Sequence, residues 1–101
     1  MAGVARKDGV DSIDTGHTCD TTSATEKGSS TVFADGTGVC RKGDTIKIHS
    51  IEVGGYCVPH IGADITGGSS SVFADGIAIA RKGDAADFGS ITSGSSSVFA
   101  G

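Results

Sequence analysis

A chain of 101 residues with four Phe, one Tyr and no Trp can bury only a small core, so a single domain, 1–101, is expected. With 17 Gly and one Pro it favours turns over helices, and no window repeats apolar residues at helical spacing over three turns. A net charge of −4 argues against nucleic-acid binding, no apolar run approaches the roughly 20 residues of a membrane span, and the N-terminus lacks the apolar segment of a secretory leader.

In chain order, Met1 to Asp8 (MAGVARKD) is the closing half of a motif that recurs in full further on. A first connection, Gly9 to Gly28, is rich in Thr, Ser and Asp, reads as irregular, and carries Gly16-His17-Thr18-Cys19-Asp20. Ser29 to Asp44 (SSTVFADGTGVCRKGD) is the first continuous copy of the motif. The second connection, Thr45 to Gly68, holds His49 and Cys57-Val58-Pro59-His60, and Ile46, Ile48, Ile51 and Val53 lend it some strand character. Ser69 to Asp84 (SSSVFADGIAIARKGD) repeats the motif, a short third connection from Ala85 to Gly94 has neither His nor Cys, and Ser95 to Gly101 (SSSVFAG) is the opening half of a last copy.

The motif is a β-hairpin. Asp35-Gly36 and Asp75-Gly76 are two-residue turns whose central residues must accept positive φ, and the flanking Val, Phe and Ile suit strands. A two-residue loop sets Ala74 opposite Ile77, Phe73 opposite Ala78 and Val72 opposite Ile79. The same register on the chain ends sets Val98 opposite Val4 and Phe99 opposite Gly3, bringing Met1 and Gly101 together. Three hairpins, the third assembled from both ends of the chain, imply pseudo-threefold packing, since one hairpin cannot bury its apolar face alone. The expected fold is an all-β cone of three hairpins whose connections converge on the axis.

Every histidine and two of the three cysteines lie in the connections. His17, His49, Cys57 and His60 offer three nitrogens and one thiolate, a set that suits tetrahedral zinc. The competing reading is exposed loop histidines beside a thiol. Cys19 is either a fifth ligand or a small packed residue, and Cys40, where the other copies have Ala5 and Ala80, is expected to be a buried strand thiol. Three cysteines without a leader make a disulfide framework unexpected. Cys–His pairs lack the pocket and orienting partner of a nucleophilic site, so no enzyme is expected. Gly54-Gly55 and Gly67-Gly68 read as turns, and the Arg-Lys pairs, each followed by an acid (Asp8, Asp44, Asp84), as solvated or locally paired corners.

The Ser-Ser-x-Val-Phe-Ala hairpins, the Ala-Arg-Lys-Gly-Asp ends, Gly16-His17 and Cys57-x-Pro-His60 together resemble the PAAR-repeat proteins, the pointed tips of contractile injection machines. The likeness spans nearly the whole chain, although the eponymous tetrapeptide is not literally present and Cys40 precedes Arg41. It implies a sharp tip on a trimeric β-helical central spike, one monomer per trimer, with zinc (iron less readily) held near the apex by His17, His49, Cys57 and His60. With no effector extension in the sequence, the resemblance points to the virion, at the baseplate of a contractile phage tail assembled in the host cytoplasm and driven transiently into an outer membrane. The equivalent tip of a type VI secretion system is the related alternative. A free-standing metal-binding or redox protein using Cys19, Cys40 and Cys57 is the rival of another class.

Overall fold

The computed structural model describes residues 1–101 and contains strands and turns but no helix. The three hairpins form in the expected register. β4 (Phe33–Ala34) pairs with β5 (Thr37–Gly38), and β8 (Phe73–Ala74) with β9 (Ile77–Ala78). β1 (Ala2–Gly3) pairs with β12 (Phe99–Ala100), with Gly3 opposite Phe99, so the two ends of the chain close the third hairpin. Asp35 (φ 53°) and Gly36 (φ 78°), like Asp75 (φ 54°) and Gly76 (φ 75°), have the left-handed backbone that an Asp-Gly turn supplies at little cost.

A ring of backbone hydrogen bonds marks the pseudo-threefold axis. Ala5 N–H donates to Ala80 O (2.9 Å), Ala80 N–H to Cys40 O (2.9 Å), and Cys40 N–H to Ala5 O (2.8 Å). All three side chains are fully buried where the strands come closest, which is why only Ala and Cys stand there. Burial pushes the Cys40 thiol up to about 12, so it is an inert packed group. On one side of the ring Val4, Val39 and Ile79 pack with Ala34, Ala74 and Ala100. The other core includes the ring itself with Ile13, Ile46, Ile65, Ala86 and Ile91.

Each hairpin is also tied to its neighbour. Asp35 accepts from Arg6, Ser95 and Ser97, and Asp75 from Arg41, Ser29 and Thr31. In the third copy, which has no turn aspartate, the oxygen of Gly101 accepts from Ser69. The Arg41–Asp44 and Arg81–Asp84 corners are locally paired as expected. In that same split copy the corner is longer, and the corner partner of Arg6 is Asp11 rather than Asp8. Asp8 instead takes a turn position with φ 61°.

Burial alone would raise the Asp11 carboxyl, but the Arg6 guanidinium, the Ser93 hydroxyl and the Arg6 N–H outweigh it and hold the carboxyl below its ordinary value. The stability this contributes is complete above the unfolded carboxyl value of about 3.9 and is lost as pH falls through the folded one. Urea unfolding followed across the acid range should therefore show stability falling below about pH 4. Asp11→Asn should flatten that slope, and Asp11→Ala, which leaves the guanidinium with Asp35 alone, should cost about 1–3 kcal/mol. An unchanged acid slope in Asp11→Asn would remove this pair from the account.

The connections are more ordered than their composition suggests. The first, expected to be irregular, contributes β2 (Ser12–Asp14) and β3 (Thr22–Ala24), which join β10 (Ala85–Ala86) and β11 (Gly89–Ile91) in a four-stranded sheet of order β10-β11-β2-β3. Ile13, paired with Ile91, is the one apolar anchor of β2, and the buried Thr15 and Thr25 satisfy their hydroxyls on backbone carbonyls. In the second connection β6 (His49–Val53) and β7 (Tyr56–His60) form a separate hairpin about Gly54-Gly55, at φ 59° and 87°. Gly67-Gly68 is not a turn: it runs irregularly past Ala85 and Ala78, so close that a Cβ on Gly67 would meet Ala85 N at 2.8 Å. The molecule is elongated, 40 × 23 × 20 Å. Only 25 of its 101 residues are buried.

Candidate metal centre

All three connections deliver a side chain to one point. The first supplies His17, which leaves β2 through Gly16 (φ 75°), where any Cβ would meet Phe88 O at 2.5 Å. The second supplies His49 and His60, the first residue of β6 and the last of β7. They are direct cross-strand partners and so share one face of the hairpin. The third supplies Asp87 from the tight turn between β10 and β11, with φ 54°, a backbone region that Asp tolerates better than most side chains.

Asp87 Oδ2 lies 2.7 Å from Nε2 of His17, 2.7 Å from Nε2 of His49 and 3.4 Å from Nδ1 of His60. Nδ1 of His60 is in turn 3.1 Å from Nε2 of His17 and 3.3 Å from Nε2 of His49. Donors held about 2.0–2.1 Å from a central ion stand about 3.3 Å apart at the corners of a tetrahedron. The separations from His60 Nδ1 are of that size, the two shortest contacts of Asp87 are tighter, and all four donor atoms lie within 4.8 Å of one another, so an ion would need Asp87 to move outward. Side-chain exposure is 4 % for His17, 2 % for His49, 4 % for Asp87 and 26 % for His60. The ring edge of Phe88 packs near His17, with centroids 5.4 Å apart.

Hydrogen-bond chemistry independently calls for a cation here. Nδ1 of His49 lies 2.9 Å from Lys47 O, and a carbonyl only accepts, so the ring proton is on Nδ1. A neutral His49 then aims the bare lone pair of Nε2 at a carboxylate oxygen 2.7 Å away. Two acceptors at that distance need positive charge between them, from an extra proton or a metal ion. The Lys47 contact is also what orients a ligating imidazole. His17, His49, His60 and Asp87 could therefore hold a metal ion.

Cys57 is not in this group. Its sulfur is bonded to Cys19, across 38 residues of sequence. This corrects the expectation that Cys57 is a metal ligand, and it supplies one covalent cross-link where a disulfide framework was not expected. The reason is strand parity. In a turn, Cys-x-x-His brings both side chains together; on the extended β7, residues three apart point to opposite faces. Cys57 thus sits opposite Glu52, on the reverse face from His60, where residues 18–20 of the first connection lie against the hairpin. Cys19 is neither a ligand nor a lone packed residue, and Cys40 remains the single free thiol.

Asp87 is not among the expected ligands, all of which are His or Cys. The available signal was the threefold repeat itself: a site on the axis draws on every connection, and between the Asp84 corner and Gly94 the third offers Asp87 as its only acid. The sequence matches no family model and no curated protein.

Proposed function

We propose that this protein is the structural tip of a contractile phage tail, a monomer that caps a trimeric β-helical central spike and sharpens it for passage through an outer membrane. The observation that carries the reading is three near-equivalent hairpins in one chain, closed by the ring of Ala5, Cys40 and Ala80. A trimer presents three equivalent surfaces, and a pseudo-threefold monomer answers each of them once. The hairpin end carries Phe33, Phe73 and Phe99 at matching positions, each about half exposed, an apolar triad suited to covering by a partner.

Zinc is the ion we assign to the cluster. Four protein donors leave no open position, the mark of a structural rather than a catalytic site, and zinc accepts nitrogen and carboxylate oxygen in tetrahedral array without geometric preference of its own. Histidine with carboxylate also suits iron(II), which elemental analysis distinguishes. An ion stitching all three connections would make that part of the molecule resist the load of piercing. Structural zinc contributes about 10–16 kcal/mol of apparent folding free energy in small peptides.

Co-expression with a trimeric central spike protein of the same phage should yield a complex of one tip per three spike chains by native mass spectrometry. Phe33→Asp, Phe73→Asp and Phe99→Asp combined should abolish that complex while leaving the melting temperature of the isolated chain within a few degrees, because these rings face outward. Undiminished complex formation by the triple variant, or a ratio other than one to three, would refute the capping role.

A further inference from the structure

We propose that the Cys19–Cys57 disulfide is the lock on the metal cluster, so that a dithiol reductant frees the β6–β7 hairpin and releases the ion. The proposal rests on the metal reading above. Two of the four candidate ligands, His49 and His60, are the end residues of a hairpin that pairs with no other strand. A two-stranded hairpin by itself is marginal in water. What holds its reverse face is the first connection. Thr18 Oγ1 donates to Glu52 (3.0 Å), Asp20 N–H to Ser50 O (3.3 Å), and Ser50 N–H to the Asp20 carboxylate (2.7 Å). Water can replace all of these exposed bonds; it cannot replace the disulfide.

The placement of the bond matters as much as its strength. Cys19 lies two residues beyond His17, and Cys57 three before His60, so the bridge joins the segments that bring two ligands from separate connections. With it intact, opening the hairpin leaves His60 tethered beside His17. With it broken, one local opening withdraws His49 and His60 together.

The chemistry is accessible and balanced. Cys57 is exposed. A reductant thiolate attacks its sulfur, Cys19 leaves as thiolate and takes a proton, and the reductant's second thiol resolves the mixed disulfide. Two electrons and two protons pass to the protein, and the dithiol closes to its own disulfide. The buried Cys40 takes no part in this exchange.

The test uses the full oxidised chain carrying Cys40→Ala and loaded with one equivalent of Zn²⁺. Transfer of zinc to a chromophoric chelator is timed with and without a trialkylphosphine, which reduces disulfides without adding thiols that compete for zinc. Reduction should speed release about 10- to 100-fold, since closing a loop of this length constrains local opening by up to roughly a thousandfold. Cys19→Ser/Cys57→Ser should release zinc at the fast rate with or without phosphine. If that variant does not fold, the reduced parent chain, checked by circular dichroism, decides. Equal release rates in oxidised and reduced chains overturn the lock while leaving the metal site standing. Slower release on reduction, with a thiolate-to-metal band in the Co²⁺-loaded chain, also overturns it, because Cys57 would then have joined the ion. An oxidised chain that takes up no zinc overturns the metal reading, and the lock with it.

Discussion

Asp87→Ala should strip the protein of metal and lower its melting temperature by more than about 10 °C. The carboxylate is the only anionic donor facing three imidazoles, and its oxygen lies within 3.4 Å of a ring nitrogen on each of them. Removing it leaves three neutral donors and one open corner. Zinc held at about one ion per chain in the parent should fall below about a tenth of that under chelator competition. A loss of at least about 3 kcal/mol, a fraction of what structural zinc contributes, moves the midpoint of a domain this size by more than 10 °C. His17→Ala and His49→Ala should behave alike. Asp64→Ala removes the same charge nearby from a residue outside the cluster, and should keep the ion. Elemental analysis with thermal melts checks all four. If Asp87→Ala retained a full equivalent of metal, the fourth ligand would have to be sought elsewhere.

Ala80→Leu should destabilise the fold by more than about 3 kcal/mol. The Ala80 backbone both donates and accepts in the axial ring, and its side chain is fully enclosed against Ala5 and Cys40. Overpacking a core typically costs about 1–3 kcal/mol, because neighbours must shift. Here the neighbours are three strands locked at hydrogen-bond distance, so relief requires breaking the ring. A cost above about 3 kcal/mol is a large part of the roughly 5–15 kcal/mol that holds a typical domain. Cys40→Ala, in contrast, makes the three axial residues identical and removes one buried sulfur, and should shift stability by about 1 kcal/mol or less. Circular dichroism melts separate the two. An Ala80→Leu variant melting near the parent would mean that the ring is not the organising contact of the fold.

The hairpins were legible because their information is local. Asp35-Gly36 and Asp75-Gly76 impose a two-residue loop, and a two-residue loop fixes which residues face each other. The pairing of Phe73 with Ala78 and of Phe99 with Gly3 follows from that count, the latter across the whole length of the chain. The equivalence of Ala5, Cys40 and Ala80 was legible too, but that the three meet in one ring of hydrogen bonds is a tertiary fact.

The connections yielded less. β2 and β3 are short, polar strands with Ile13 as the single buried apolar side chain between Ser12 and Ala24, so they carry no alternation to read. They exist because β11 offers them an edge. Three histidines could be singled out by residue type, but the fourth member of their cluster is one of 12 acidic residues and becomes distinctive only when its turn is seen to face the axis. The sequence alone determined the three hairpins, their register and the closure of the chain on itself, because turn geometry and side-chain alternation act over a few residues. Only the tertiary structure decided that Cys57 joins Cys19 while Asp87 joins the imidazoles. A spacing of three brings Cys57 and His60 together in a turn and sets them on opposite faces in a strand, and packing between distant segments decides that this stretch is a strand.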